Sequence, residues 1–297
     1  MIITALIVTY NRLDKLKMCI EATRKAQFDK IVIVDNASSD GTRLWLKSIE
    51  SEQCRVIYSD VNSGGAGGFK TGLEYISQHI KGNWVALFDD DAYPDETLIS
   101  RFNAMSKHSY VAFSCRVVDK KNQLCRMNLP FSKMPQNFLQ DMHYLLRSSS
   151  FQPAQDQKSE CVTLSFVGTI IRQDVIKYSL PFLHDDLFIY FDDLYYSYHL
   201  SQAGHKMLYC PDLVFSHDVS SSNGIILPQW KVYYLVRNLL LSRQLFKSKK
   251  PFTILGVTLR LTKYFSIVIN QPYKRKYLTF YLRGIRDGLS GIKGKRF

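Results

Sequence analysis

The sequence has little cysteine chemistry to offer. Of its 297 residues six are cysteines (Cys19, Cys54, Cys115, Cys125, Cys161 and Cys210), with no C-x-x-C pair and no zinc-knuckle spacing. A structural zinc site is excluded on that pattern, and the six read as reduced core thiols in a cytosolic, reducing compartment. No G-K-[ST] closes the glycine-rich stretch at 62–69, which excludes a Walker loop. The opening MIITALIVTYN lacks a basic n-region and reaches Asn11 after about ten residues, so it reads as a first strand and not as a signal peptide. ILGVTLRLTKYFSIVIN at 254–270 is interrupted by Arg260 and Lys263, too short and wet for a bilayer span of about 20 apolar residues.

Acidic residues are almost missing from the C-terminal stretch. Residues 228–297 hold 16 of the 39 Lys/Arg and only Asp287 of the 26 Asp/Glu, a charge of +15; the chain as a whole carries +13, so residues 1–227 carry −2. A near-neutral body at 1–227 joined to a basic, aromatic-rich helical region at 228–297 is the organisation this implies, the second part drawn to an anionic surface. An electrostatic nucleic-acid site needs a basic groove on the folded body, and this body is net acidic, which argues against a nucleic-acid partner. Basic and aromatic residues beside an apolar face suit an interfacial helix at an anionic membrane; a helix packed on the body or in a homo-oligomer is the alternative that the pattern leaves open.

What is present is an α/β pattern. IITALIVT at 2–9 and IVIVD at 31–35 are β-branched runs with a helix-length segment at 12–27 between them, a βαβ unit. CRVIY at 54–58 precedes the glycine-rich loop, 69–81 reads as a helix, and WVALF at 84–88 as a buried strand. Beyond it VAFSCRVVD and VTLSFVGTIIR look strand-like, 130–160 reads as a loop or lid, DDLYYSYHLSQAG as a helix capped by Gly204, and KMLYC as a short strand.

The candidate chemistry sits where open α/β sheets bind ligands, at the carboxyl ends of strands. Asp89-Asp90-Asp91 follows WVALF; three adjacent carboxylates repel unless a cation or bound donors offset them, and alternation in an extended chain lets Asp89 and Asp91 converge on one divalent ion while Asp90 turns to a ribose or sugar hydroxyl. Asp35 ends IVIVD before a polar turn and can accept from a base N–H or a ribose hydroxyl. The glycines after Asn62 let backbone N–H groups approach a phosphate or sugar oxygen. Taken alone, Asp192-Asp193 also fits helix-start acids favoured by the macrodipole, His217 a structural histidine, and the aromatic stripe with Trp230 a core face. A metal-dependent nucleotidyltransferase shares the Asp pairs and glycine loop but needs a basic grip near the first strand, where Arg12 is the only candidate.

TYNR at 9–12, VDNASSDGT at 34–42, NSGGAGGF at 62–69 and FDDDAYP at 88–94, with FIYFDDLYYSYHLSQAGHKMLYCPDLVFSHD at 188–218, resemble the inverting family 2 glycosyltransferases of GT-A fold. Within that family the combination is most similar to bacterial galactofuranosyltransferases, with rhamnosyltransferases nearby. The resemblance implies a Rossmann-like nucleotide-sugar-binding domain with a mixed central sheet. It implies Thr9, Asn11, Arg12, Asp35, Asn62, Gly64, Gly65, Phe69 and Asp90 around the donor. Asp89, Asp91 and His217 would hold Mn²⁺ or Mg²⁺, and Asp193 would be the general base, with Asp192 as alternative base or acceptor contact. Trp230 and Arg237 would meet the acceptor or the diphosphate. It further implies UDP-galactofuranose as donor, dTDP-rhamnose as the alternative, and a lipid-linked glycan acceptor at the cytoplasmic face of the plasma membrane. Where relatives keep a further acid after the pair, this sequence has Leu194-Tyr195-Tyr196.

Overall fold

The computed structural model of the protein describes residues 1–107, 109–219 and 224–297. Its first part alternates strictly: β1 (Ile3–Thr9), α1 (Leu13–Lys25), β2 (Lys30–Asp35), α2 (Thr42–Ile49), β3 (Cys54–Tyr58), α3 (Gly64–His79) and β4 (Trp84–Asp89). β1 is buried along its whole length, as expected of a parallel strand covered on both faces, and its β-branched run is the sequence form of that burial. Alternation divides its side chains between two cores: Ile3, Ala5 and Ile7 face one, Leu6 and Val8 the other.

The rest completes a mixed sheet through β5 (Ala92–Pro94), α4 (Leu98–Ala104), β6 (Ala112–Val118), α5 (Phe138–Leu146), β7 (Ser159–Cys161), β8 (Thr169–Arg172), α6 (Gln173–Ser179), α7 (Asp192–Gln202) and β9 (Met207–His217). Strand order is β3-β2-β1-β4-β8-β6-β9-β5, with β7 on β9. The β3-β2-β1-β4 half is parallel, and β8 runs antiparallel to both β4 and β6. Chain order reverses between β2 and β4 on either side of β1, so the carboxyl ends of β1 and β4 open a crevice.

Three expectations change. The glycine-rich stretch is not a loop before a helix at 69–81; it is the first turns of α3, which starts at Gly64. A Cβ on Gly68 would lie 2.5 Å from Val8 Cγ1 and one on Gly72 2.3 Å from Leu6 Cδ1, so these two glycines serve close packing of α3 on β1. The 130–160 segment contains α5, a 3-10 turn and β7. KMLYC is the start of an eleven-residue strand, because β9 pairs with β6 on one side and with β7 and β5 on the other.

The C-terminal region is helical: α8 (Lys231–Leu245), α9 (Ile254–Ser266) and α10 (Lys274–Leu289). α8 is no appendage, for Val232, Val236 and Leu239 share a core with Leu187, Tyr195 and Tyr198. α10 lies on α8 with Gly284 and Gly288 at the contact, where a Cβ would meet the backbone oxygens of Tyr233 and Arg237 at 2.8 and 3.0 Å. All six cysteines are free and buried. Among the described residues no helix is long and apolar enough to cross a membrane.

Candidate active site

Strand register assembles the site. Thr9 pairs with Asp35, and Val8 with Asp89, so the ends of β1, β2 and β4 stand side by side. β5 returns antiparallel along β9 with Ala92 opposite His217, which swings the imidazole over the aspartate run about 125 residues away in sequence. One donor atom from each of Asp89, Asp91 and His217 then lies within 4.8 Å of the others. His217 Nε2 is 3.3 Å from Asp91 Oδ1, and the Asp218 N–H donates to the Asp91 carbonyl at 2.8 Å.

Charge crowding here is severe. Burial, then repulsion from Asp91 and Asp90, pushes Asp89 up to about 7. Asp91 goes the other way: burial opposes its ionisation, but the His217 hydrogen bond and the Arg12 charge prevail and hold it at about 2. Arg12 supplies the nearest positive charge, its Nη1 3.1 Å from Asp90 Oδ1 and 2.7 Å from Asp91 Oδ2; Lys15 Nζ adds a contact to Asp91 at 3.4 Å. Thr9 Oγ1 donates to Asp90 Oδ2 at 2.7 Å, so Asp90 is turned away from the Asp89–His217 side. Two hard carboxylates and one imidazole converging on a space with excess negative charge fit a divalent ion such as Mn²⁺ or Mg²⁺.

Beside this cluster, Asp35 is fully buried, accepting from Ser38 N at 3.0 Å and from Arg43 Nε at 2.9 Å. Arg43 also lies 5.5 Å from the Tyr58 ring. Asn11 adopts φ +53°, which Asn tolerates, and its Oδ1 takes the Ser39 N–H at 2.6 Å, tying the loops after β1 and β2 together. Asn62 Oδ1 accepts from Gly64 N at 2.8 Å and Asn36 Nδ2 at 3.2 Å, at the start of α3. Gly64 has φ +73°, and a Cβ there would sit 2.0 Å from the Phe188 carbonyl oxygen. Gly65 faces open space.

α7 begins with the acidic pair. Asp192 is 8% exposed; burial, then the charges of Asp193 and Asp89, raises it well above the carboxylate range. Asp193 is raised by burial against the pull of its backbone donors, Leu194 N at 2.7 Å and Phe166 N at 3.4 Å.

Two residues expected at the site, Phe69 and Arg237, are elsewhere or otherwise employed. Phe69 is 3% exposed and packs 4.9 Å from Phe166, ring to ring, in the core beneath α3, because the helix starts earlier and turns position 69 inward. Arg237 is fully buried; it donates to the carbonyls of Leu187 (2.8 Å), Asp186 (3.4 Å) and Gly294, and to Asn238 Oδ1, and so fastens the loop before α7 and the C-terminal residues to α8. Trp230 rests against Phe188 and Tyr234. Sequence reasoning missed Lys15, which the one-turn spacing from Arg12 could have flagged, and Arg43, in the first turn after the Asp35 loop. It also missed Asn128, 5% exposed, whose Oδ1 is 3.2 Å from His217 Nδ1; nothing local in the sequence marks it.

Residues 4–198 match the family described as Glycosyl transferase family 2. A search among curated protein sequences found no match. Among solved structures, the chain is similar to TarS 1–349 of S. aureus at 13% identity and TM-score 0.53, covering 98% of this chain and 92% of that one. It is similar to the mannosyltransferase PcManGT from Pyrobaculum calidifontis, in complex with GDP-Man and Mn²⁺, at 14% identity and TM-score 0.53, covering 97% and 86%. GalNAc-T7 with UDP, GalNAc and Mn²⁺ matches at 14% identity and TM-score 0.54 over 74% of this chain and 44% of its own length. At these identities the structures establish a shared GT-A-like fold, and the match of residues 4–198 establishes kinship: the chain belongs to glycosyltransferase family 2.

Proposed function

We propose that the protein transfers galactofuranose from UDP-galactofuranose, with inversion, to a lipid-linked glycan acceptor during synthesis of a surface polysaccharide such as O-antigen or capsule. The observation that carries the reading is the convergence of Asp89, Asp91 and His217 at the carboxyl ends of β4 and β9. Asp89, Asp91 and His217 would hold Mn²⁺ or Mg²⁺. When bound, the ion supplies positive charge to the departing diphosphate. Mn²⁺ in PcManGT and GalNAc-T7, beside GDP-Man or UDP, supports that assignment by fold.

The protein's own groups do the rest. Asp35, with Thr9, Asn11 and Arg12, borders the nucleoside pocket; Asn62, Gly64 and Gly65 lie along the donor; Asp90 meets its ribose or sugar. The acceptor O–H gives its proton to the Asp193 carboxylate as its oxygen bonds to the anomeric carbon, and the bond from that carbon to the diphosphate oxygen breaks on the opposite face. Asp192 orients the acceptor. Trp230, at the edge of the Phe188 loop, is the acceptor-side aromatic. The 228–297 region faces the anionic inner surface of the plasma membrane, where a lipid-linked acceptor resides.

Calorimetric binding of UDP, dTDP and GDP with and without Mn²⁺ tests the donor. Metal-dependent UDP binding is the expected result. Preference for dTDP shifts the donor to dTDP-rhamnose, and no binding of any of the three removes the reading.

A further inference from the structure

α5 wears its apolar residues on the outside. Phe138, Leu139, Leu145 and Leu146 are 58–78% exposed, and Met142 is 36% exposed. At about 100° per residue these five fall in one arc roughly 120° wide. The opposite side holds the helix to the protein: Asp141 is 2% exposed and accepts the Thr253 hydroxyl, while the Arg260 guanidinium lies 5.0 Å from the Tyr144 ring. Both anchors belong to α9 and its N-cap, so α5 is seated on the C-terminal helices and not on the sheet.

α9 has an exposed apolar stripe of its own. Ile254 and Phe265 are 71% and 51% exposed and lie within about 20° of one another around the helix, and Ile269, just past the helix, is 71% exposed. Tyr273 follows at 67%, and the segment 224–227, tied to Gln271 by two hydrogen bonds, adds Leu227 at 56%. Lys263, Lys274, Arg275 and Lys276 surround this end and are all exposed. No Asp or Glu occurs anywhere between Asp218 and Asp287.

We infer that α5 is a second membrane-insertion element of the protein, working with the α9–α10 turn, and that the two together seat the enzyme on an anionic lipid bilayer. The inference rests on the proposed membrane placement and adds to it an element from the catalytic domain. The combination of features selects the occupant. A nucleic acid would match the cations but leave the α5 face in water. A second copy would bring two regions of charge +15 together across an apolar contact, and like charge disfavours that arrangement. A bilayer with anionic headgroups satisfies both, taking the apolar side chains into the acyl boundary and the lysines at the headgroups.

The test is flotation of the full chain with vesicles of phosphatidylcholine alone and of phosphatidylcholine with phosphatidylglycerol. The parent should bind the anionic vesicles in a salt-sensitive manner. The variant Leu139→Glu with Met142→Glu should bind them about tenfold more weakly while keeping its melting temperature and its UDP–Mn²⁺ affinity. Should that variant fold poorly, Leu146→Trp reports insertion directly by quenching with brominated lipid. A parent that binds and a variant that binds equally, or an unquenched Trp, overturns the role of α5 and leaves the membrane placement standing. A parent that ignores both vesicles overturns both. A variant whose sedimentation shifts to a smaller species with vesicle binding unchanged assigns the face to a second copy, against the inference.

Discussion

The Asn128 amide bridges two functional groups: its Oδ1 lies 3.2 Å from His217 Nδ1, and its Nδ2 donates to Ser165 Oγ at 2.9 Å. Because the amide nitrogen is committed to Ser165, the oxygen faces the imidazole as an acceptor. That fixes the hydrogen on His217 Nδ1 and leaves Nε2, the nitrogen beside Asp91, for an ion. Ser165 directly precedes Phe166, whose N–H donates to Asp193 at 3.4 Å, so the segment held by the Asn128 amide also carries a donor to the proposed base.

Asn128→Leu is therefore expected to weaken Mn²⁺ binding about 10- to 100-fold, the usual consequence of losing the group that orients a ligating histidine. Titration calorimetry of Mn²⁺ in the presence of UDP measures it. An unchanged affinity would show that His217 is oriented by something else or does not ligate.

Asp193→Asn should lower kcat by about 10²- to 10⁴-fold with UDP–Mn²⁺ affinity retained, because only proton removal is lost. Burial raises Asp193, and a base acts ionised, so activity should fall as pH drops through that raised value. The acid limb of kcat/KM then lies above the ordinary carboxylate value of about 4. Parent-like turnover in the Asn variant would move the base to Asp192.

The glycines of α3 should separate packing from ligand approach. Gly68→Ala forces a Cβ to within 2.5 Å of Val8 and should cost about 1–3 kcal/mol, read as a lower melting temperature. Gly65→Ala meets nothing within 4 Å and should leave stability unchanged while weakening UDP binding. Equal stability of the two variants would contradict the close packing of α3 on β1.

Arg237→Ala should behave as a structural lesion. It removes the side-chain donor to the Gly294 carbonyl and one of three donors to the Leu187 carbonyl and empties a fully buried side-chain site, with an expected loss of about 3 kcal/mol. Donor affinity of the fraction that remains folded should match the parent; a selective loss of UDP affinity at full stability would restore a diphosphate role.

His199 sets part of the acid stability. It is stacked between Phe246 at 4.1 Å and Phe182 at 4.9 Å, and burial, with a smaller push from His184, lowers it to about 4. An unfolded imidazole titrates near ~6.5, so between these values the unfolded chain holds more protons. The stabilisation is complete above ~6.5 and is lost as pH falls toward ~4. His199→Phe should flatten the melting temperature over that window, and an unaltered pH profile would assign the dependence to other groups.

The sequence by itself determined the parallel half of the fold and the carboxylate part of the site. β1, β2 and β4 are local β-branched or apolar runs buried along nearly their whole length, and Asp35 and Asp89 stand at their ends, so position along the chain already placed them at the crevice. The acidic pair was equally legible, because helix-start acids are a local feature. Tertiary structure alone decided the rest. His217 reaches Asp91 only because β5 pairs with β9, and Asn128 reaches His217 from an irregular segment with no local signal. Arg237 looked like a basic residue aimed at a diphosphate and is instead sealed under the Phe188 loop. α5, read as loop, is a helix held by Asp141 and Tyr144. In each case the side chain's partner lies many residues away, and a contact fixed by packing between distant segments leaves no periodicity for a sequence to display.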